Sequence, residues 1–265
     1  MARAAAGGAR KREWLAVESL WMVVALGAGV AGFVQGLSGF AFGMVAMSLW
    51  AWVLPPQLAA VLVVFGALLG QLLAAFTVRR GWSWALLLPF VLGGLAGIPL
   101  GVWLLPLLNM LWFKALLGGL LVLWCPVMLL APRWPALVVG GRWGDGLAGL
   151  AGGVLGGVGG FTGVVPTLWC TLRGYPKEVQ RAVIQNFNLS MLLVTMGVYL
   201  GTGVVTREML PLFAVVAPAM LLPTWLGTRL YIGISEARFR QLVLGLLTLS
   251  GLAMLASALP QLLHS

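Results

Sequence analysis

The sequence predicts an all-α, multi-pass membrane protein of about eight to ten transmembrane segments, arranged as two homologous repeats. Three observations carry this. Of 265 residues, 61% are hydrophobic and 8% charged, whereas a soluble domain carries about a quarter charged residues to cover its water-facing surface. The apolar residues fall into runs separated by glycine, proline or charge. A glycine-rich motif near the start of the chain recurs near its middle.

Residues 1–13 form a basic tail with Arg3, Arg10, Lys11 and Arg12, read as cytoplasmic. The apolar run after Trp14 continues past Gly36, so it is expected to be an uncleaved span and not a signal peptide. The first repeat covers 14–131, with apolar runs at 15–36, 39–54, 57–78, 83–106 and 112–131. Pro55-Pro56, Arg79-Arg80 and Lys114 mark its breaks. A linker at 132–144 holds Pro132, Arg133, Pro135 and Arg142. The second repeat, 145–265, has runs at 145–158, 160–172, 179–202, 208–230 and 239–260. The first two of these are too short to span alone if straight.

The repeat is read residue by residue. Gly36-Leu37-Ser38-Gly39-Phe40 answers Gly157-Val158-Gly159-Gly160-Phe161 at an offset of 121 (157 − 36), which also carries Gly32 to Gly153 and Pro55 to Pro176. Later matches, Leu100-Gly101 with Leu226-Gly227 and Phe113-Lys114 with Phe239-Arg240, keep the same order with small gaps. Each half therefore opens with a glycine-broken helix or a re-entrant hairpin. The segment Gly156 to Gly163 concentrates enough glycine to stop a helix. Non-helical backbone at membrane depth persists where protein or a water-filled cavity satisfies its amides. A half-helix beginning near Thr162 would present free amides and a positive dipole end to an anion. The competing reading is close helix packing, adopted for Gly93/Gly97/Gly101, Gly149/Gly153/Gly157 and Gly197/Gly201.

Several chemistries are excluded. The only histidine is His264, and Cys125 and Cys170 are not spaced as a metal pair, so no catalytic or metal-ligating set can be assembled. No cofactor is implied. Glu13, Glu18, Asp145, Glu178, Glu208 and Glu236 all fall near segment ends, which argues against a mid-membrane carboxylate relay. The excess of 16 Lys+Arg over 6 Asp+Glu, net +10, lies in short loops and reads as membrane topology, with no nucleic-acid partner. Most of the 13 tryptophans sit near segment ends, as an interfacial belt would.

The buried polar residues are neutral. Arg181, Gln185 and Asn188 recur at i, i+4 and i+7 and share one helical face. Such amides suit either a polar ligand or hydrogen bonds between helices. Gln35 and Ser38 lie beside the first-half break.

The paired motifs, Gly32 to Phe42 and above all Gly153 to Leu168, resemble those of the sulfite exporter TauE/SafE family, and the resemblance extends over nearly the whole chain after residue 15. It implies an inner-membrane carrier for sulfite, sulfonate, sulfoacetate-like or organic anions. Gln185-Asn186-Phe187-Asn188 stands where the family more often has small and hydroxyl residues, which leaves the particular substrate open.

The resulting expectation is a secondary transporter in which two repeats alternate access to a small anion. Gly159, Gly160, Thr162 and Gly163 supply backbone and hydroxyl donors, and Gly39 belongs to the matching first-half motif. Gln35, Ser38, Gln185 and Asn188 supply side-chain donors, and Arg181 attracts the anion from about one turn outside. The partners are the lipid bilayer and that anion; a homo-oligomer stays open. The rival readings are a non-transporting scaffold and a membrane-embedded enzyme.

Overall fold

The computed structural model describes residues 2–38, 41–77, 81, 83–137, 139–229 and 236–263, and every regular element among them is helical. The α-helices are α1 (Ala2–Ser38), α2 (Phe42–Trp50), α3 (Pro56–Thr77), α4 (Trp84–Leu104) and α5 (Met110–Leu130). They are followed by α6 (Gly141–Gly159), α7 (Val164–Leu172), α8 (Lys177–Gly201), α9 (Leu210–Arg229) and α10 (Glu236–Leu263). Helix α1 begins at Ala2, so the segment read as a separate tail is continuous with the first span.

Local sequence sets several of these ends. Pro56 starts α3, where its missing N–H costs nothing. Asn109 caps α5 by accepting a 2.9 Å hydrogen bond from the Trp112 amide. Gly160 closes α6 in the left-handed region (φ 75), with its amide bonded to the Gly156 carbonyl and the Phe161 amide to that of Leu155. This double closure absorbs carbonyls that the helix end would otherwise leave unpaired.

Seven helices among the described residues are long and apolar enough to cross a membrane: α1 from Ser19, α3, α4, α5, α8, α9 and α10. Helix α6 has 19 residues but is rich in glycine and carries Arg142 and Asp145, and it falls outside the seven. Helices α2 and α7 have nine residues each, about 13 Å, and neither crosses a bilayer core. Each instead doubles back on its predecessor. The Trp50 ring lies over Gly27 and its Nε1 donates to the Val23 carbonyl at 3.2 Å. The Trp169 ring lies over Gly140 and Gly144, and its Nε1 donates to Asp145 Oδ1 at 2.7 Å. The α1–α2 and α6–α7 pairs are thus helical hairpins, each pinned by an indole over glycine.

The hairpins are joined to the rest by glycine seams. A Cβ on Gly29, Gly32 or Gly36 would meet Ala219, Met220 or Thr224 backbone, respectively. The residue numbers rise together, so α1 and α9 run parallel. In the second seam, Gly93 faces Gly146, Gly97 faces Leu150 and Gly101 faces Val154. From the other side Gly149, Gly153 and Gly157 face the carbonyls of Phe90, Gly94 and Ile98, so α4 and α6 are also parallel. Helices α5 and α10 cross where Gly118 meets Gly251. Helix α8 runs parallel to α4: Gly81 lies by Ala182, and Gly94 by Phe187 and Met191. The short 202–209 connection then reverses the chain into α9. It follows that α1 and α6 point in opposite directions.

The packing role read for Gly93/Gly97/Gly101 and Gly149/Gly153/Gly157 therefore holds. That for Gly197/Gly201 does not: a Cβ at either would meet nothing within 4 Å. The two kinds of glycine should separate in thermal unfolding of the detergent-solubilised protein. Gly153→Val would place its Cβ 2.1 Å from the Gly94 carbonyl, and overpacking of this kind costs about 1–3 kcal/mol or more. Gly197→Ala fills open space on α8, and a helical Gly→Ala exchange there is expected to be neutral or to add up to about 1 kcal/mol.

Candidate functional site

The tips of the two hairpins meet. A Cβ on Gly43 would lie 3.4 Å from the Gly160 carbonyl oxygen and 3.9 Å from the Phe161 ring. Between the tips is a cavity of about 60 Å³. A buried water needs about 10–15 Å³, so the space suits a few waters or one small ion.

Two short helices begin at this cavity. Phe42 and Gly43 open α2, Val164 opens α7, and all three line the space. The Val164 amide is bonded to the Phe161 carbonyl at 3.3 Å, but those of Thr162, Gly163 and Val165 have no acceptor among the described residues. Pro166 in the first turn of α7 brings no N–H of its own. The positive ends of two helix dipoles therefore face one small volume. Ala41, just before α2, sits at φ 83, a left-handed conformation that costs a residue with a Cβ roughly 1 kcal/mol or more. That strain is located where the chain turns its amides toward the cavity.

Neutral side chains complete the lining. Thr162 Oγ1 donates to Asn188 Oδ1 at 2.9 Å, which orients the amide of Asn188. Asn188 Nδ2 has no acceptor among the described residues, although the side chain is buried (8% exposed). Gln35, 6% exposed, lines the cavity from α1 and has no hydrogen-bond partner among the described residues. Both side chains line the cavity, where their amide groups can bond to water or to a ligand. Trp124 of α5 closes one side, its Nε1 donating to the Val164 carbonyl at 2.8 Å. No Lys, Arg, His, Asp or Glu among the described residues lines the space. No group of His, Cys, Asp or Glu among the described residues is placed to hold a metal.

Of the residues singled out from sequence, Gln35, Gly160, Thr162, Gly163 and Asn188 come together here. Gly159 is buried one residue away, where a Cβ would strike the Phe161 ring and Met47. Gln185 is buried on α8 one turn before Asn188, outside the lining. Arg181 is exposed near the start of α8. The Ser38 side chain and Gly39 lie outside the described residues.

Ala41, Gly43, Gln71, Trp124 and Thr167 also line the cavity without having been singled out as site residues. Applied to the residues singled out, the offset of 121 (157 − 36) could have found three lining positions, because it carries Ala41 to Thr162, Phe42 to Gly163 and Ala67 to Asn188. Asp145 is the other surprise. It stands near a segment end in the sequence, yet it is buried and held by Trp169 at the foot of the second hairpin.

The model of the sulfite exporter TauE/SafE family matches residues 24–254, most of the chain, and the protein belongs to that family. It is a family of membrane transporters and not of enzymes. No curated protein and no solved structure matches the chain.

Gly163 offers a probe of the geometry that removes no donor group. A Cβ there would lie 2.8 Å from both Asn188 Nδ2 and Oδ1. Gly163→Ala should displace the Asn188 amide and weaken anion-induced thermal stabilisation by about tenfold in apparent affinity. The unliganded melting temperature should change little.

Proposed function

We propose that this member of the sulfite exporter TauE/SafE family is a secondary transporter. It carries a small sulfur-containing or organic anion across the inner membrane, with the cavity between the hairpin tips as its substrate site. One observation carries the reading: two helix N-termini, the Gln35 amide and the Asn188 Nδ2 group converge on one space that no charged side chain among the described residues lines. Helix starts bind anions through free N–H groups and the dipole. The donors are the Thr162 and Gly163 amides, Gln35 and Asn188, and Gly160 lines the cavity with its own amide committed to closing α6. Gly159 and Gln185 stand next to it, Ser38 and Gly39 lie outside the described residues, and Arg181 attracts the anion from outside.

Two related, inverted halves would supply the alternating access. The packing supports that reading, since the α1–α9 contact is answered by α6–α4, while α5 packs on α10 and α3 on α8. The opposite directions of α1 and α6 and the cavity positions related by the 121-residue offset (157 − 36) support it as well. Carriers built from inverted repeats hold substrate at broken helices near the midplane, between the repeats. In this arrangement α1–α2 and α6–α7 are re-entrant hairpins that enter from opposite sides. The basic residues Arg3 to Arg12 support a cytoplasmic N-terminus.

Transport of sulfite into proteoliposomes, with protein incorporation measured in parallel, tests the site. A hydrogen bond to a charged partner contributes about 1.5–3 kcal/mol. Gln35→Leu, Asn188→Leu and Thr162→Val are each expected to lower apparent affinity roughly tenfold or more. Wild-type transport by all three would remove the cavity from the mechanism and favour a scaffold, in which these residues serve packing alone.

A further inference from the structure

We infer that the cavity selects its ligand by charge state and takes a monoanion in preference to a dianion of similar size. This rests on the reading of the cavity as the anion site and concerns which ionic form that site accepts. The lining offers dipoles only: amides at the start of α7, the N-terminal end of α2, Asn188 Nδ2 and the Gln35 amide. Each helix start is equivalent to roughly half a positive charge, so the two together match about one negative charge.

No cation supplements them. Arg181 is exposed and precedes Asn188 by seven positions on α8, a rise of about 10 Å. It can draw an anion toward the molecule, but solvent screens its charge at the cavity itself. Gln71 and Thr167 add only neutral groups to the lining, and Phe42, Phe161 and Trp124 are the apolar rings against the cavity.

The competition between two electrostatic effects then decides the preference. Removing an ion from water costs free energy that grows as the square of its charge, so a dianion pays about four times the monoanion's penalty. Attraction to fixed dipoles grows only in proportion to charge, and so only doubles. A cavity with a lysine or arginine could offset the difference. This one, with neutral donors and room for one small ion, cannot. For an oxyanion such as sulfite, whose second proton titrates near neutral pH, the bound species is the singly protonated form. The pH dependence of binding then belongs to the ligand and not to a side chain of the protein.

The test uses the full-length protein in detergent, with binding followed calorimetrically for three anions over a pH range spanning the second ionisation of sulfite. Methanesulfonate stays monovalent throughout, sulfate stays divalent, and sulfite changes form. Methanesulfonate binding should be flat with pH, and sulfate should bind at least about tenfold more weakly than methanesulfonate. The sulfite dissociation constant, expressed as total sulfite, should rise about tenfold per pH unit above the ionisation and be constant when expressed as the monoanion. Sulfate binding as tight as that of methanesulfonate, or sulfite binding that is flat or strengthens as pH rises, overturns the inference. Binding lost in Asn188→Leu but without charge preference would leave the site reading intact and remove only the selectivity. If none of the three anions binds, both fall.

Discussion

The structure depends on one constraint: backbone that leaves the helix within apolar surroundings must find partners for its amides and carbonyls. The second hairpin meets it unevenly. The carbonyl side of the break is closed by the Gly160 and Phe161 amides bonding back to Gly156 and Leu155. On the amide side, Thr162 and Gly163 remain open at the cavity, and the Val165 amide beside them has no acceptor among the described residues. The chain thus spends its internal acceptors and keeps its donors for something else. The positive φ of Ala41 at the matching break shows the same turn made at a residue poorly suited to it.

Around that constraint, glycine serves two separable purposes. On α4 and α6 it permits backbones to touch, as where Gly153 faces the Gly94 carbonyl, and it replaces side-chain packing with close contact between helices. At Gly160 it permits the left-handed closure of α6. Both demands fall on the same short stretch of α6, which explains a helix so poor in apolar side chains within such an apolar chain. Thr162 is fitted to this surface: a Cβ at Gly156 would strike its methyl group, and Asn188 accepts its hydroxyl proton.

Much of this was legible in the sequence because it rests on local chemistry. Proline, glycine and charge delimited the helices within a few residues, and the glycine run located the break between α6 and α7. The polar stripe on α8 was visible too, but spacing alone could not say which member faces the cavity. Gln185 and Asn188 share a helical face, yet only Asn188 lies beside the hairpin tip. That choice depends on where α7 begins, which is a tertiary fact. Ala41 and Trp124 carry no polar signal to distinguish them from packing residues. Asp145 was passed over because distance from a segment end is a poor guide to burial where a hairpin folds back, as Trp169 does over Gly144. Gly197 erred the other way: spacing suggested a contact surface, but no partner helix lies against it.

The glycine seams have a consequence for what counts as a unit of this molecule. Helix α1 is joined backbone to backbone with α9, and α6 with α4, so each hairpin is built into the opposite half of the chain. A cut in the 132–144 linker would leave each fragment with a hairpin whose seat lies in the other fragment. The two fragments are therefore interdependent, like clasped hands, and each completes the other's interior. Movement within the assembled protein must respect the same exchange. The closely packed groups are α1–α2 with α9 and α6–α7 with α4, so the packing units cross the order of the sequence.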